Sequence, residues 1–182
     1  KAAGAGAKKG KGSSSSSSKA PKGSSFQEAA AYLQSIGFKS NTEIALVFDI
    51  ATNPKSVFAA KVGAGSNKNP KTSIEARPLF VEQDMAPVVD FFLANGIAEE
   101  SLPRLIAGHP IVLAYSVEAR LQPLFQFLAE IGVPDVGQAI IRRPSLLGLQ
   151  VGDGGNLRRM VEYLKDTGYS DEQVVEYVCK SL

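Results

Sequence analysis

One periodic element limits what this chain can fold into. Phe91-Phe92-Leu-Ala-Asn-Gly96 is matched by Phe127-Leu128-Ala-Glu-Ile-Gly132 and by Tyr163-Leu164-Lys-Asp-Thr-Gly168. Each copy reads aromatic, large apolar, three residues, glycine, and the glycines lie 36 residues apart. Four residues before the aromatic stand Pro87, Pro123 and Arg159. After the glycine come Pro110-Ile-Val-Leu113 and Pro144-Ser-Leu-Leu147, both Pro-x-apolar-Leu. Tyr32-Leu33-Gln-Ser-Ile-Gly37 is a fourth, displaced copy, followed by Asn53-Pro54-Lys-Ser-Val57.

Each unit has a physical reading. The first proline opens a helix, because its missing N–H is not needed in the first turn. The helix buries Val, Phe and Leu positions and stops at a glycine able to adopt positive φ. A shorter second helix follows, over Ala98–Ala107 and again over Val136–Arg142, and the next proline breaks it. A unit of this kind has one apolar face and cannot bury it alone. Stacked copies share a continuous core, so the period predicts an all-α fold, a short α-solenoid of helical repeats. Upstream, Phe26–Ile36 has helical spacing behind a capping box at Ser25 and Glu28. Ile44–Ala51 fits a helix or a strand, and Pro54 favours a helix stopped before it. Phe91, Phe92, Phe125, Phe127 and Tyr163 are expected in the repeat core.

Charge divides the chain. Residues 1–25 hold six lysines and no acid, in a Lys/Ala/Gly/Ser stretch with six consecutive serines. Such a stretch buries too little apolar surface to offset its ordering entropy, so a long extended basic tail is expected. It has no apolar core of a secretory signal, and fits either the mature end left after organelle transit-peptide removal or an ordinary flexible arm. Residues 82–182 hold eight basic and fourteen acidic residues. The expected division is a tail over 1–25, a helical unit over 26–60, a linker or arm over 61–84 with loop chemistry through 61–78, and the repeats over 85–182. No apolar run is long enough to predict a membrane-spanning helix.

The periodic residues resemble the mitochondrial transcription termination factor (mTERF) family of organellar helical-repeat proteins. The carriers are Arg142-Arg143-Pro144-Ser-Leu-Leu147, His109-Pro110-Ile-Val-Leu113 and the Phe-Leu-x-x-x-Gly element. The resemblance covers about residues 85–182, with a fainter echo at 26–58. It implies a curved stack of units, each two α-helices and a short 3₁₀-like turn, in a protein imported into a plastid or mitochondrion that binds DNA or RNA there. The chain departs from that pattern in having few repeats, a last copy without its proline, and an acidic repeat body. Of the two organelles, the sequence reading places the plastid first.

Nucleic-acid affinity rests mainly on Lys and Arg replacing counterions along phosphates. The acidic body therefore points first to a non-enzymatic scaffold or linker subunit of a larger organellar assembly. Its hosts would be a photosynthetic or respiratory supercomplex or an organellar ribosome. Its partners would be other protein subunits, with the tail reaching RNA or an anionic membrane surface. The alternative is an organellar DNA/RNA-binding regulator of transcription or translation. Candidate partner or phosphate contacts are Lys8, Lys9, Lys11, Lys19, Lys22, Arg142, Arg143, Arg158 and Arg159.

No catalytic, cofactor or metal residue is assigned. Gly4-Ala-Gly6-Ala-Lys-Lys-Gly10 and Gly63-Ala-Gly65 lack the Gly-Lys-Ser/Thr ending of a phosphate loop. Gly152-Asp-Gly-Gly155 has too few acidic residues for a calcium loop. His109, the one histidine, occupies the helix-break position that Arg143 and Asn53 hold in other copies, which favours a structural role. Cys179, the one cysteine, reads as a small buried apolar residue.

Overall fold

The computed structural model describes residues 23–58, 75–152 and 155–181, and these are all-helical, with no strand among them. Eight α-helices run in pairs: α1 (Phe26–Ser35) with α2 (Asn41–Thr52), α3 (Ala86–Ala94) with α4 (Leu102–Gly108), α5 (Gln122–Glu130) with α6 (Val136–Arg142), and α7 (Asn156–Asp166) with α8 (Asp171–Lys180). Proline-led 3₁₀ turns, Pro110–Ala114 and Pro144–Gly148, follow α4 and α6. Residues 1–22 of the expected 1–25 tail, the Gly63-Ala-Gly65 segment and most of the 61–78 loop lie outside the described residues, as do residues 153–154 of the Gly152–Gly155 loop.

Each first helix is opened and closed by local chemistry. At α1 the Ser25 hydroxyl accepts the Glu28 N–H (3.3 Å), while the Glu28 carboxylate accepts the Ser25 N–H (2.8 Å). At the other end, Gly37, Gly96, Gly132 and Gly168 have φ of 106°, 79°, 96° and 94°. The residue after each glycine donates back across the helix end: Phe38 to Leu33, Ile97 to Phe92, Val133 to Leu128, Tyr169 to Leu164, all at 3.0–3.1 Å. This 6→1 bond satisfies a helix-end carbonyl and requires the left-handed residue between its partners. In the first three units it also delivers the residue after the glycine into the core.

The prolines act differently from the sequence expectation. Pro87 and Pro123 do not open their helices, which already begin at Val81 and Val117. The turns Val81–Met85 and Val117–Leu121 are π-helical: Met85 donates to the Phe80 carbonyl (3.3 Å) and Leu121 to that of Ser116 (3.2 Å). A proline inside a regular helix removes one i→i−4 bond and crowds the carbonyl four residues back. Winding the preceding turn wider makes room for the ring. Arg159, at the equivalent place in α7, has its N–H and donates to Gly155, with no wide turn before it. The end of the expected arm, residues 81–84, is accordingly helical. The expected Ala98–Ala107 helix is a 3₁₀ turn over Glu99–Ser101 leading into α4.

The units stack in two rows. Second helices pack successively, α2 on α4 and α4 on α6, and each proline-led turn seats on the second helix of the unit before: 110–114 on α2, 144–148 on α4. The fit is close. A Cβ on Gly108 in α4 would lie 2.7 Å from Pro144 Cγ. First helices meet through the repeat aromatic. Phe91 packs edge-on against Phe125 of the next unit (4.9 Å), and Phe127 lies under the Arg158 guanidinium of α7 (4.7 Å). One core runs from Ala29 in α1 to Val178 in α8. Tyr163, expected in that core, is 66% exposed. The aromatic at this position is covered by the following unit's first helix, and among the described residues none follows α7.

Two glycine substitutions separate the two roles. Gly132→Ala meets nothing nearer than Val175 Cγ2 at 3.8 Å, so its cost is conformational, about 1–2 kcal/mol. Gly108→Ala has ordinary helical φ but drives its methyl into a rigid proline ring, costing about 1–3 kcal/mol. Urea unfolding of both variants checks this: a neutral Gly108→Ala would contradict the seating of Pro144 on α4.

Candidate nucleic-acid interface

The candidate arginines sit where the repeat chemistry ends or starts a helix. Pro144 disfavours helical geometry at Arg143, which is extended (φ −135°, ψ 82°), so α6 stops at Arg142. Arg142 is exposed in the last turn, where the helix dipole favours a cation. Arg143 is half-buried, and its Nη1 donates to the Cys179 carbonyl at 3.3 Å. That contact ties the end of α6 to the end of α8. Arg158 is spent in part on the Phe127 ring. Arg159 is exposed. Among the described residues neither Arg142 nor Arg159 has an ion-pair partner. Arg143 joins the second-helix row and Arg158 the first-helix row. The five candidate lysines, Lys8, Lys9, Lys11, Lys19 and Lys22, lie outside the described residues.

A polar cluster around the buried Tyr115, with His109, Arg120 and Glu75 half-buried beside it, went unread in the sequence. His109 Nε2 and the Tyr115 hydroxyl are 2.8 Å apart. Burial lowers the His109 pKa to about 4 and raises that of Tyr115. The ring is therefore neutral at pH 7 and Tyr115 keeps its proton, so the imidazole tautomer sets which of the two donates. Arg120 lies over the Tyr115 ring, 3.7 Å from its centre, pairs with Glu75, and reaches the Gly148 carbonyl at 3.4 Å. Its Nε is buried without a partner among the described residues, and burial lowers its pKa. Gly148 in turn abuts the His109 ring. The cluster thus joins the loop before Val81, the second unit and the third. His109, at the helix break before Pro110, sits at this junction of units. Cys179 is half-buried rather than buried, and burial pushes its thiol pKa up.

Among the described residues no group of three or more His, Cys, Asp or Glu is placed to hold a metal ion. No helix among them is long and apolar enough to cross a membrane. The family model for mTERF matches residues 11–181.

The chain belongs to the mTERF family. Residues 11–181 take in part of the lysine-rich stretch as well as all four helical units. The chain is also similar to transcription termination factor MTERF15, mitochondrial, of Arabidopsis thaliana, with 32% identity over 79 residues. That stretch covers 42% of this mTERF chain and 18% of the relative. No solved structure matches the chain.

The buried imidazole fixes a pH dependence of this mTERF fold. A histidine with an ordinary unfolded pKa near 6.5 and a folded value of about 4 binds more protons when unfolded. Stability is then full above about pH 6.5 and falls as pH drops towards 4, by up to roughly 3 kcal/mol. Chemical denaturation at stepped pH should show that acid limb in the native chain and a flatter one in His109→Gln. Equal slopes would contradict a buried neutral ring.

Proposed function

We propose that this chain is a non-enzymatic, nucleic-acid-binding regulator of gene expression in a mitochondrion or plastid. The observation that carries the reading is the mTERF family match across residues 11–181. The relative's name adds to it, since that protein is called a mitochondrial transcription termination factor. This favours the regulator over the scaffold or linker subunit, which finds no support in the comparisons. The organelle follows from the same resemblance, and the relative's name weighs towards the mitochondrion.

Charge shapes how such a protein binds. With fourteen acids against eight bases in residues 82–182, the body offers no broad basic face for a duplex. Phosphate contact then falls to the lysines of the tail, Lys8, Lys9, Lys11, Lys19 and Lys22, together with the exposed Arg142 and Arg159. Arg143 and Arg158, already engaged with Cys179 and Phe127, contribute less. Lysines spaced by Gly, Ala and Ser suit single-stranded RNA or DNA, whose phosphates they can meet without reading bases.

Fluorescence anisotropy with short single-stranded RNA and duplex DNA, over about 50–200 mM salt, tests this. The full chain should bind the single strand with a clear log–log salt slope. Replacing the five tail lysines with alanine should flatten that slope by up to about 3.5, since each single-strand phosphate contact contributes about 0.7. Arg142→Ala with Arg159→Ala should flatten it by about 1. Absence of salt-sensitive binding to either nucleic acid would contradict the proposal.

A further inference from the structure

Between the second and third units, each of which has neighbours on both sides, α3, α5 and the start of α6 frame an open pocket of about 730 Å³. Its size is that of a small-molecule site. Phe91 and Phe125, packed edge-on, give it an apolar wall. Its shape is set by a close backbone approach. A Cβ on Gly137 would lie 3.3 Å from the Asn95 carbonyl oxygen and 3.4 Å from Ile97 Cγ1, so the start of α6 fits tightly against the end of α3.

The polar lining is mostly amide. Gln122 and Gln126, exposed and one turn apart on α5, each bring a donor and an acceptor. Asn95 donates through Nδ2 to the Phe91 carbonyl at 2.8 Å, which leaves its side-chain oxygen as an acceptor. Asp135 accepts the Gln138 N–H on Oδ1 at 2.8 Å, capping α6, and keeps its second oxygen. Among the described residues no lysine or arginine lines the pocket. Its chemistry disfavours a phosphate and fits a flat, neutral group with hydrogen bonds on its edge.

We propose that this pocket takes an unpaired nucleobase of a bound single strand, adenine or cytosine in preference to uracil or thymine. The inference rests on the nucleic-acid reading above and adds base selection to it. The ring lies against the phenylalanines while the amides meet its edge, the division of labour by which helical repeats read a base with two or three side chains. The free Asp135 oxygen accepts from the exocyclic amino group of adenine or cytosine and opposes the keto oxygen of uracil. The phosphates stay outside the pocket, left to the lysine-rich stretch. An acidic body and a nucleic-acid ligand are compatible on these terms, because the body meets bases and not phosphates.

Fluorescence anisotropy of the full chain with A, C and U oligomers of equal length, each over the same salt series, tests this. The A and C oligomers should bind about tenfold more tightly than the U oligomer, with the same salt slope. Gln122→Ala with Gln126→Ala should reduce that preference and leave the slope unchanged. Asp135→Asn keeps a side-chain oxygen for the α6 cap and puts an amide donor where the free oxygen stood. It should shift the preference toward the U oligomer. Preference is a ratio within one protein, so it is read independently of each variant's stability. Equal affinity for the three oligomers, or a preference that either variant leaves unchanged, would overturn the pocket and leave the regulator reading standing. A chain that binds no strand at all would overturn both.

Discussion

Each first helix of this chain closes on a 6→1 hydrogen bond across a glycine at positive φ, and the rest of the stack depends on that closure. The bond turns the backbone sharply and sends the next residue inward, so that Phe38, Ile97 and Val133 become core. The second helix then begins in a fixed direction, behind caps at Ser40, Asp135 and Ser170. Only a second helix so directed presents the face on which the next proline-led turn can seat. The period of 36 residues is the sequence form of that geometry: one closure per unit, in constant phase with the aromatic that the following helix covers.

Polar groups enter this interior where two units and a loop meet. Arg120 stacks on Tyr115, Tyr115 and neutral His109 share a hydrogen bond, and Glu75 offsets the arginine's charge. A buried cation is costly unless paired, and here the partner comes from the loop before Val81, which the cluster anchors to the second and third units. The charges left free lie outside. Arg142 and Arg159 are exposed at helix ends, while the surrounding body is acidic. The proposed nucleic-acid contact therefore rests on the lysine-rich stretch more than on this body.

Much of the fold was legible because glycine and proline punctuate it. The four glycine positions, α6 to the residue, and the break before each Pro-x-apolar-Leu turn follow from backbone chemistry that only those residues permit. Pro87 and Pro123 misled because proline is tolerated in two ways: at a helix start, or inside a helix after a widened turn. Composition alone does not separate them, although Ser116 capping Ala119 is a start signal seven residues before Pro123. Tyr163 misled because a repeat position is buried only when a neighbour covers it. At the candidate interface the exposure of Arg142 and Arg159 was readable from their places at helix ends. The capture of Arg143 by the Cys179 carbonyl and of Arg158 by Phe127 was not, since both contacts join residues more than 30 positions apart. In the His109–Tyr115–Arg120–Glu75 cluster the long-range Arg120–Glu75 pair was hidden for the same reason, while the His109–Tyr115 and Tyr115–Arg120 contacts span only a turn that periodicity does not mark.

Stacking of units through turn-on-helix seating is what the account stands on, and one spectroscopic contact reports it directly. In an assigned NMR spectrum of the chain, the Gly108 α-protons should show a strong nuclear Overhauser effect to the Pro144 ring, because a side chain on Gly108 would lie 2.7 Å from that ring. The account predicts this cross-peak together with one between the Phe91 and Phe125 rings. Assigned resonances with neither cross-peak would contradict it.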